Sequence, residues 1–374
     1  MLNQAQLAAV RQIVRRGVLD SVRPASAHSG AEVLRVTAGS YSWIVKLSGH
    51  EAADPRRARP MGFLPGLVGA IFVDGLGSDL AARVIGADVD SGVLVLEDLG
   101  AGADLADLLI AGDAEAARRA LRDLAALLGR LHASTANREP EYERLWRQYW
   151  TDWPSPQPGW RFASSTASLR QMAQQLDLRV APSVEGDLQV VAGALEDPFF
   201  RTYVHGDPCP DKVRPGEGGR LIDFEAGGYG LALLDAVYAR MPFPTCWCTG
   251  RLPDTVVADF ERTYRAELAR GLPAAADDRR FERALVAACG YWFVVHANWR
   301  LIQGLDAAAE PAHTQRGLLL PDQRAHVLLR AESFIAAARA YGHLEALAEL
   351  AAQIVTRLRL RQPLRGVLRY PAFR

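Results

Sequence analysis

The hydrophobic period of this chain shifts from mostly strand-like to mostly helical near residue 100, and the shift divides it into two kinds of structure. Before it, apolar residues come in short runs bounded by turn signals. Glu32 to Leu47 reads EVLRVTAGSYSWIVKL, two β-rich runs around Ala38-Gly39-Ser40, which predicts a hairpin with Lys46 near the end of its second strand. Ala70–Val73 and Ala81–Val84 read as further short strands, and SGVLVLEDLG at 91–100 as a buried strand ending in two carboxylates and a glycine. After Asp104, LADLLIAGDAEAARRALRDLAALLGRLHAST repeats apolar residues at helical spacing among Ala, Leu and Arg. The expectation is an α+β protein, with a small antiparallel sheet lobe over residues 1–97 and a larger helical lobe over 98–374. A chain of 374 residues exceeds what one compact core usually organises, which agrees with two packed lobes.

Smaller segments fill in this outline. Leu7, Val10, Ile13 and Val14 share one face of a helix within residues 4–18. Residues 49–67 carry prolines at 55, 60 and 65, so a helix there is short or distorted. Residues 146–160 crowd four tryptophans among three prolines and read as an ordered insertion or loop. Residues 201–225 hold two β-like runs, TYVHGD and RLIDFE, joined by the turn-rich PCPDKVRPGEGG. Helical pattern returns from 254 to about 360, broken near 271–278 and 303–323.

Composition excludes several function classes. The 43 basic and 43 acidic side chains cancel, leaving no global field for a polyphosphate backbone or an anionic membrane, so neither a nucleic-acid nor a membrane partner is expected. The first twenty residues lack the apolar core of a signal peptide, and no stretch reaches the ~18 uncharged residues of a membrane span, so a cytoplasmic location is expected. The four cysteines, Cys209, Cys246, Cys248 and Cys289, are too few and too unevenly spaced for a secreted framework, and reduced thiols are expected. Cys246-Trp247-Cys248 with Cys209 lacks a fourth ligand at zinc-motif spacing. Lys46 and Lys212 are the two lysines among 43 basic residues, all others being arginine; an ammonium is a compact point charge where a guanidinium is a planar fork. Tyr291, Trp292, His296 and Trp299 fall on an apolar helical stretch, read as buried or as facing a substrate. The tail RLRLRQPLRGVLRYPAFR has no acidic residue and reads as disordered or as a docking arm.

The chemistry concentrates in YVHGDPCPDKVRPGEGGRLIDFEAGGYGLALLD, residues 203–235, where a His-Gly-Asp turn is followed by a second apolar-flanked carboxylate, Asp223. Phosphoryl transfer needs one carboxylate to orient and deprotonate the acceptor hydroxyl and another to hold the metal that bridges the nucleotide phosphates. This segment, with Lys46, the Leu94–Leu99 connector, the Leu-Gly-Arg-Leu-His run ending at His132, Gly230 and Asp235, resembles the aminoglycoside phosphotransferase and choline kinase families of the two-lobed protein-kinase-like fold. The resemblance implies an ATP-dependent phosphotransferase that moves the γ-phosphate to a hydroxyl of a small molecule or peptide, with Mg2+. It implies Asp207 as general base, His205 as a brace or proton carrier, Asp223 as the metal-binding carboxylate, and Glu225 as a second ligand or brace. Lys46 would neutralise the nucleotide phosphates, Glu97, Asp98 and Leu99 would line the adenine pocket, and Asp235 would hold the catalytic-loop backbone.

Three departures from the family pattern set the alternatives. Lys212 stands where the loop asparagine is expected; an ammonium cannot share a magnesium coordination position, so one metal site is lost or remodelled. Lys212 would instead pair with Asp223 or Asp207, or contact a phosphate. The helix glutamate that should pair with Lys46 is missing from its expected place near Arg57, leaving Glu51 as the candidate. The phosphate loop, Ala25 to Ala31, has one glycine. A pseudokinase using this fold to bind a metabolite or a protein partner is therefore the alternative to an active enzyme.

Overall fold

The computed structural model describes residues 2–25, 33–48, 62–77, 79–150, 154–214, 219–297, 314–316, 318–319, 323–361 and 369–374. Five strands, β1 (Ser21–Pro24), β2 (Val33–Ala38), β3 (Tyr41–Leu47), β4 (Val84–Asp88) and β5 (Val93–Glu97), form one antiparallel sheet in the order β1-β2-β3-β5-β4. The hairpin expected around Ala38-Gly39-Ser40 is β2–β3, with Ala38 opposite Tyr41 and Gly39 in the left-handed region that its turn requires. Alternation then sorts the side chains. Leu34, Val36, Trp43, Val45, Leu47, Val93 and Val95 pack with helix α1 (Gln4–Val14) into a small core on one face. Ile44, Lys46, Leu94 and Leu96 take the other face, toward the helical body.

The second core is much larger and continues from that inner face into the body. Helix α2 (Phe63–Asp74) belongs to it, and here the expectation of a strand at Ala70–Val73 fails: those residues are helical. Nearly all of α2 is buried, so its sequence is apolar all round and a four-residue window shows neither a helical nor a strand period. At 81–84 only Val84 lies in a strand, while Ala81 makes an isolated bridge to Leu221.

The body follows the helical pattern from Asp104. Helices α3 (Leu105–Ala111) and α4 (Ala114–Thr135) are capped by Asp104 and Asp113, whose side chains accept from first-turn N–H groups. Helix α4 buries Ala117, Ala120, Leu121, Leu124, Leu128 and Leu131 at three- and four-residue intervals against α9 (Asp254–Leu268), which is reached after α5 (Glu139–Tyr149), α6 (Pro158–Gln175), α7 (Pro182–Leu195) and the short α8 (Leu233–Ala236). The tryptophan-rich segment is helical only at its two ends: Trp146 lies in α5, its ring stacked on that of Trp150 with both buried, α6 starts at Pro158, and residues 154–157 are irregular. Helices α10 (Asp278–His296), α11 (Gln323–Tyr341) and α12 (Glu345–Arg361) complete the body. Among the described residues no helix is long and apolar enough to cross a membrane.

Two small ribbons carry the motif residues. Strand β6 (Arg201–Val204) pairs with β9 (Gly228–Leu231), and β7 (Val213–Arg214) with β8 (Arg220–Leu221). His205-Gly206-Asp207 leaves the end of β6, and Ile222-Asp223 leaves the end of β8. The expected run RLIDFE is a strand only over its first two residues, because Asp223 takes a positive φ of 74° that ends the extended backbone.

Candidate functional site

Asp235 fixes the loop after β6. Its carboxylate accepts from the backbone N–H of His205 (2.6 Å) and of Gly206 (3.0 Å), and lies 3.1 Å from His132 Nε2. The other nitrogen of His132 lies 2.8 Å from the Tyr264 hydroxyl, so a helix-α4 histidine and a helix-α9 tyrosine brace this buried carboxylate. Gly206 is held at φ 75°, and a Cβ there would stand 2.2 Å from the carbonyl oxygen of Ala226, so no other residue fits the turn. His205 is buried: its Nδ1 accepts from the Asp207 N–H and its Nε2 donates to the Ile222 carbonyl (3.0 Å), joining the two motif loops. Burial holds its pKa below the ordinary value, so it is a neutral brace with both nitrogens engaged.

Asp207 lies on the loop that leaves β6, against Thr245 and under the charge of Lys212. Burial pushes its carboxyl up to about 7, although the Thr245 hydroxyl donates to Oδ1 and Lys212 pulls the other way. Thr245 was not legible in the sequence, since a threonine in the 242–250 loop carries no motif. The same loop corrects the expectation of reduced thiols: Cys209, two residues after Asp207, is disulfide-bonded to Cys246. Cys209 Sγ lies 2.9 Å from Asp207 Oδ1 as a packing contact, because a disulfide sulfur has no proton to donate. Cys248 and Cys289 are free and buried.

Asp223 sits between the two lysines. Lys46, from the inner face of β3, donates to Oδ1, and Lys212 donates to Oδ2. Lys46 also reaches Glu225 Oε1 at 3.3 Å. Burial opposes the charge on Asp223, but the two ammonium groups hold its pKa well below the carboxylate range. Lys212 is likewise disfavoured by burial, and Asp223 holds its pKa well above the ordinary value. Glu225 is pushed up, by burial and then by Asp223.

The cleft continues past Lys46 to the connector. Asp98 receives Arg35 through both Nε (2.6 Å) and Nη2 (3.0 Å) and the Ser42 hydroxyl, and these bonds outweigh burial and lower its pKa. Glu97 faces Arg83 at 3.2 Å. With Ile44, Leu96 and Leu99, these residues give the pocket an apolar wall beside Lys46, Asp223 and Lys212. The candidate Glu51, the Arg57 position and most of the loop Ala25–Ala31 lie outside the described residues.

The donor set does not fit the expected magnesium. Both oxygens of Asp223 accept from ammonium groups, the neutral loop oxygen is replaced by Lys212, and Glu225 is bonded by Lys46. Among the described residues the one cluster of three potential ligands is Asp207, Cys209 and Cys246, whose sulfurs are bonded to each other, so the zinc possibility for these cysteines also lapses.

A sequence profile described as "Phosphotransferase enzyme family" matches residues 21–285. The chain belongs to the phosphotransferase enzyme family. Its architecture is the two-lobed protein-kinase-like fold of that family, a five-stranded antiparallel sheet on a helical body. Among solved structures it is similar to choline kinase LicA from Streptococcus pneumoniae (12% identity, TM-score 0.46, covering 91% of this chain and 100% of that one). It is similar also to a choline/ethanolamine kinase family protein from Mesorhizobium loti (16%, TM-score 0.49, 92% and 99%). A third is the ADP-bound aminoglycoside phosphotransferase APH(2'')-Ib (11%, TM-score 0.47, 94% and 99%). No curated protein matches the sequence.

Proposed function

We propose that this protein transfers the γ-phosphoryl group of ATP to a hydroxyl of a small molecule, with residues 1–97 as the nucleotide lobe and 98–374 carrying the catalytic loop and acceptor site. The observation that carries the reading is Asp207: a carboxyl with a pKa of about 7, under the charges of Lys212 and Asp223, on a loop whose backbone is fixed by Asp235 and His205. A base tuned near neutrality takes a proton and gives it back. In the reaction the acceptor O–H gives its proton to Asp207, the oxygen bonds to the γ-phosphorus, and the bond to the β–γ bridging oxygen breaks to release ADP. Lys46 and Lys212 supply positive charge at the phosphates, Lys212 standing where a metal ligand is expected; the Asp223 carboxylate holds both ammonium groups in place. The pocket wall formed by Ile44, Leu96 and Leu99 takes the adenine.

The test is mass spectrometry of a metabolite extract incubated with ATP and protein. A product heavier by one phosphoryl group, lost with Asp207→Ala, supports the reading; absence of product under every condition overturns it. The neutralised Asp223 favours one second reading, a pseudokinase that binds a ligand without transfer. That protein would bind ATP, or nothing, by calorimetry and give no product.

A further inference from the structure

The disulfide that rules out a metal at Cys209 and Cys246 is a reversible bond, and the loops on either side of it have ties that do not involve sulfur. Cys209 stands between Pro208 and Pro210, whose rings lock φ. Its N–H donates to the Asp207 carbonyl (2.7 Å), and the Lys212 N–H donates to the Cys209 carbonyl (2.8 Å). The Cys246 N–H donates to the Phe243 carbonyl (3.1 Å), and the Cys246 carbonyl accepts from the Thr249 hydroxyl (2.9 Å). A further tie joins the two loops. Tyr238 donates to the Gly206 carbonyl (2.9 Å), and its hydroxyl lies 3.1 Å from that of Thr245, which donates to Asp207.

These ties hold a ligand set together. An oxygen of Asp207 and the sulfurs of Cys209 and Cys246 lie within 4.8 Å of one another. Cys209 Sγ is 2.9 Å from Asp207 Oδ1 and 3.3 Å from the Thr245 hydroxyl, and the Cα atoms of the two cysteines are 5.6 Å apart. Tetrahedral zinc, with bonds of about 2.3 Å to sulfur, sets two thiolates about 3.8 Å apart, a separation that side-chain rotation supplies once the sulfurs are no longer bonded. Both cysteines are buried while Thr245 is exposed, so the Thr245 side is where an ion would enter and where water would complete the coordination. Two soft thiolates select zinc or cobalt over magnesium, which the carboxylate alone would not do.

We propose that the protein, once its Cys209–Cys246 bond is reduced, binds Zn2+ through Asp207, Cys209 and Cys246, with water as the fourth ligand. A dithiol reductant gives two electrons and two protons to the bond and becomes a disulfide itself; the metal then displaces both thiol protons to solvent. The metal site rests on the geometry alone. Its consequence rests on the phosphotransferase reading: the carboxylate that takes the acceptor proton is coordinated, so zinc stops transfer by the reduced protein and leaves the oxidised protein unaffected.

The experiment uses the full chain, reduced with a trialkylphosphine that is then removed under argon, and titrated with Co2+, whose bonds to thiolate give a near-ultraviolet charge-transfer band. The reduced protein is expected to bind one equivalent, displaced by Zn2+, and the oxidised protein to show no band. Cys246→Ser should lose the band and Cys248→Ala should keep it. Asp207→Asn should keep it and weaken Co2+ about tenfold, because an amide oxygen is a poorer donor than a carboxylate. Alkylation by iodoacetamide needs no variant: bound Zn2+ should protect Cys209 and Cys246 of the reduced wild type, read peptide by peptide in a mass spectrometer. A reduced protein that unfolds, a band lost with Cys248→Ala, or equal alkylation of Cys209 and Cys246 with and without zinc would overturn the proposal. Turnover is followed on the same samples. Cobalt bound with no transfer by either form sinks the phosphotransferase reading alone, transfer without metal binding sinks the zinc site alone, and transfer undiminished by bound zinc takes Asp207 out of the site.

Discussion

Asp207 carries an opposed pair of pH effects. Its carboxyl has an ordinary value of 3.8 and rises to about 7 in the fold, so between those values the folded state holds a proton that the unfolded state has released. Its contribution to stability is complete below about 4 and is lost as pH rises through 7. The base form needed for transfer appears over that same upper range. Under the proposed reaction kcat/KM therefore rises with pH through about 7, and Asp207→Asn removes both effects: turnover disappears, and the variant's unfolding temperature exceeds the wild type's at pH 8.5 by more than at pH 5. An equal difference at both pH values would show that the carboxyl is not buried in its neutral form. Lys212→Asn tests the neighbouring substitution. It frees Asp223 Oδ2 and restores a neutral oxygen, so calorimetry with ATP should show magnesium-dependent affinity rising about tenfold. Equal, magnesium-independent binding by both proteins would mean that Lys212 does not displace a metal. Asp207 and Asp223 were legible from the His-Gly-Asp and Ile-Asp-Phe-Glu runs, and Lys46 and Lys212 as the two lysines among 43 basic residues. Thr245 was not, since its contact with Asp207 arises from what the fold brings beside it.

At the scale of elements, what the sequence displays depends on how many faces an element buries. The β2–β3 hairpin and helix α4 each hide one side and show a clear period. Helix α2 hides nearly every side, and its apolar run was read as a strand for that reason. The loop from 237 to 253 displays no period at all, yet the Cys209–Cys246 bond ties it to the loop that carries Asp207. Cysteine spacing could not show this, because the pairing partners are 37 residues apart and belong to different elements. Closing a loop of that length contributes about 2–4 kcal/mol, so Cys246→Ser should lower the denaturant-unfolding free energy by that amount. It should also lower kcat severalfold, because Thr245 is next to Cys246 and loses its fixed position against Asp207. A variant with the full loss of stability and unchanged kcat would limit the bond to a structural part.

Across the whole molecule, sheet and body meet along two lines of different character. At one, backbone joins backbone: Leu221 donates to the Leu80 carbonyl (2.8 Å) while α2 packs into the large core beside Tyr203 and Phe224. At the other, the tie is made of side chains, Lys46 from β3 against Asp223 and Glu225. The first line depends on burial that no small change removes, and the second on one charge. Lys46→Met keeps most of the side chain's volume and leaves Asp223 paired with Lys212, so the loss is that of the Lys46 bonds to Asp223 and Glu225, about 1–3 kcal/mol. Its effect should be local, because cooperative units open separately when only the contacts between them are weakened. Amide hydrogen exchange should therefore quicken about ten- to hundredfold in β3 and β5 and stay unchanged in α4 and α9, with ATP binding lost. Acceleration spread evenly over sheet and helices would show instead that the two parts unfold as one unit and that the cleft has no independent opening.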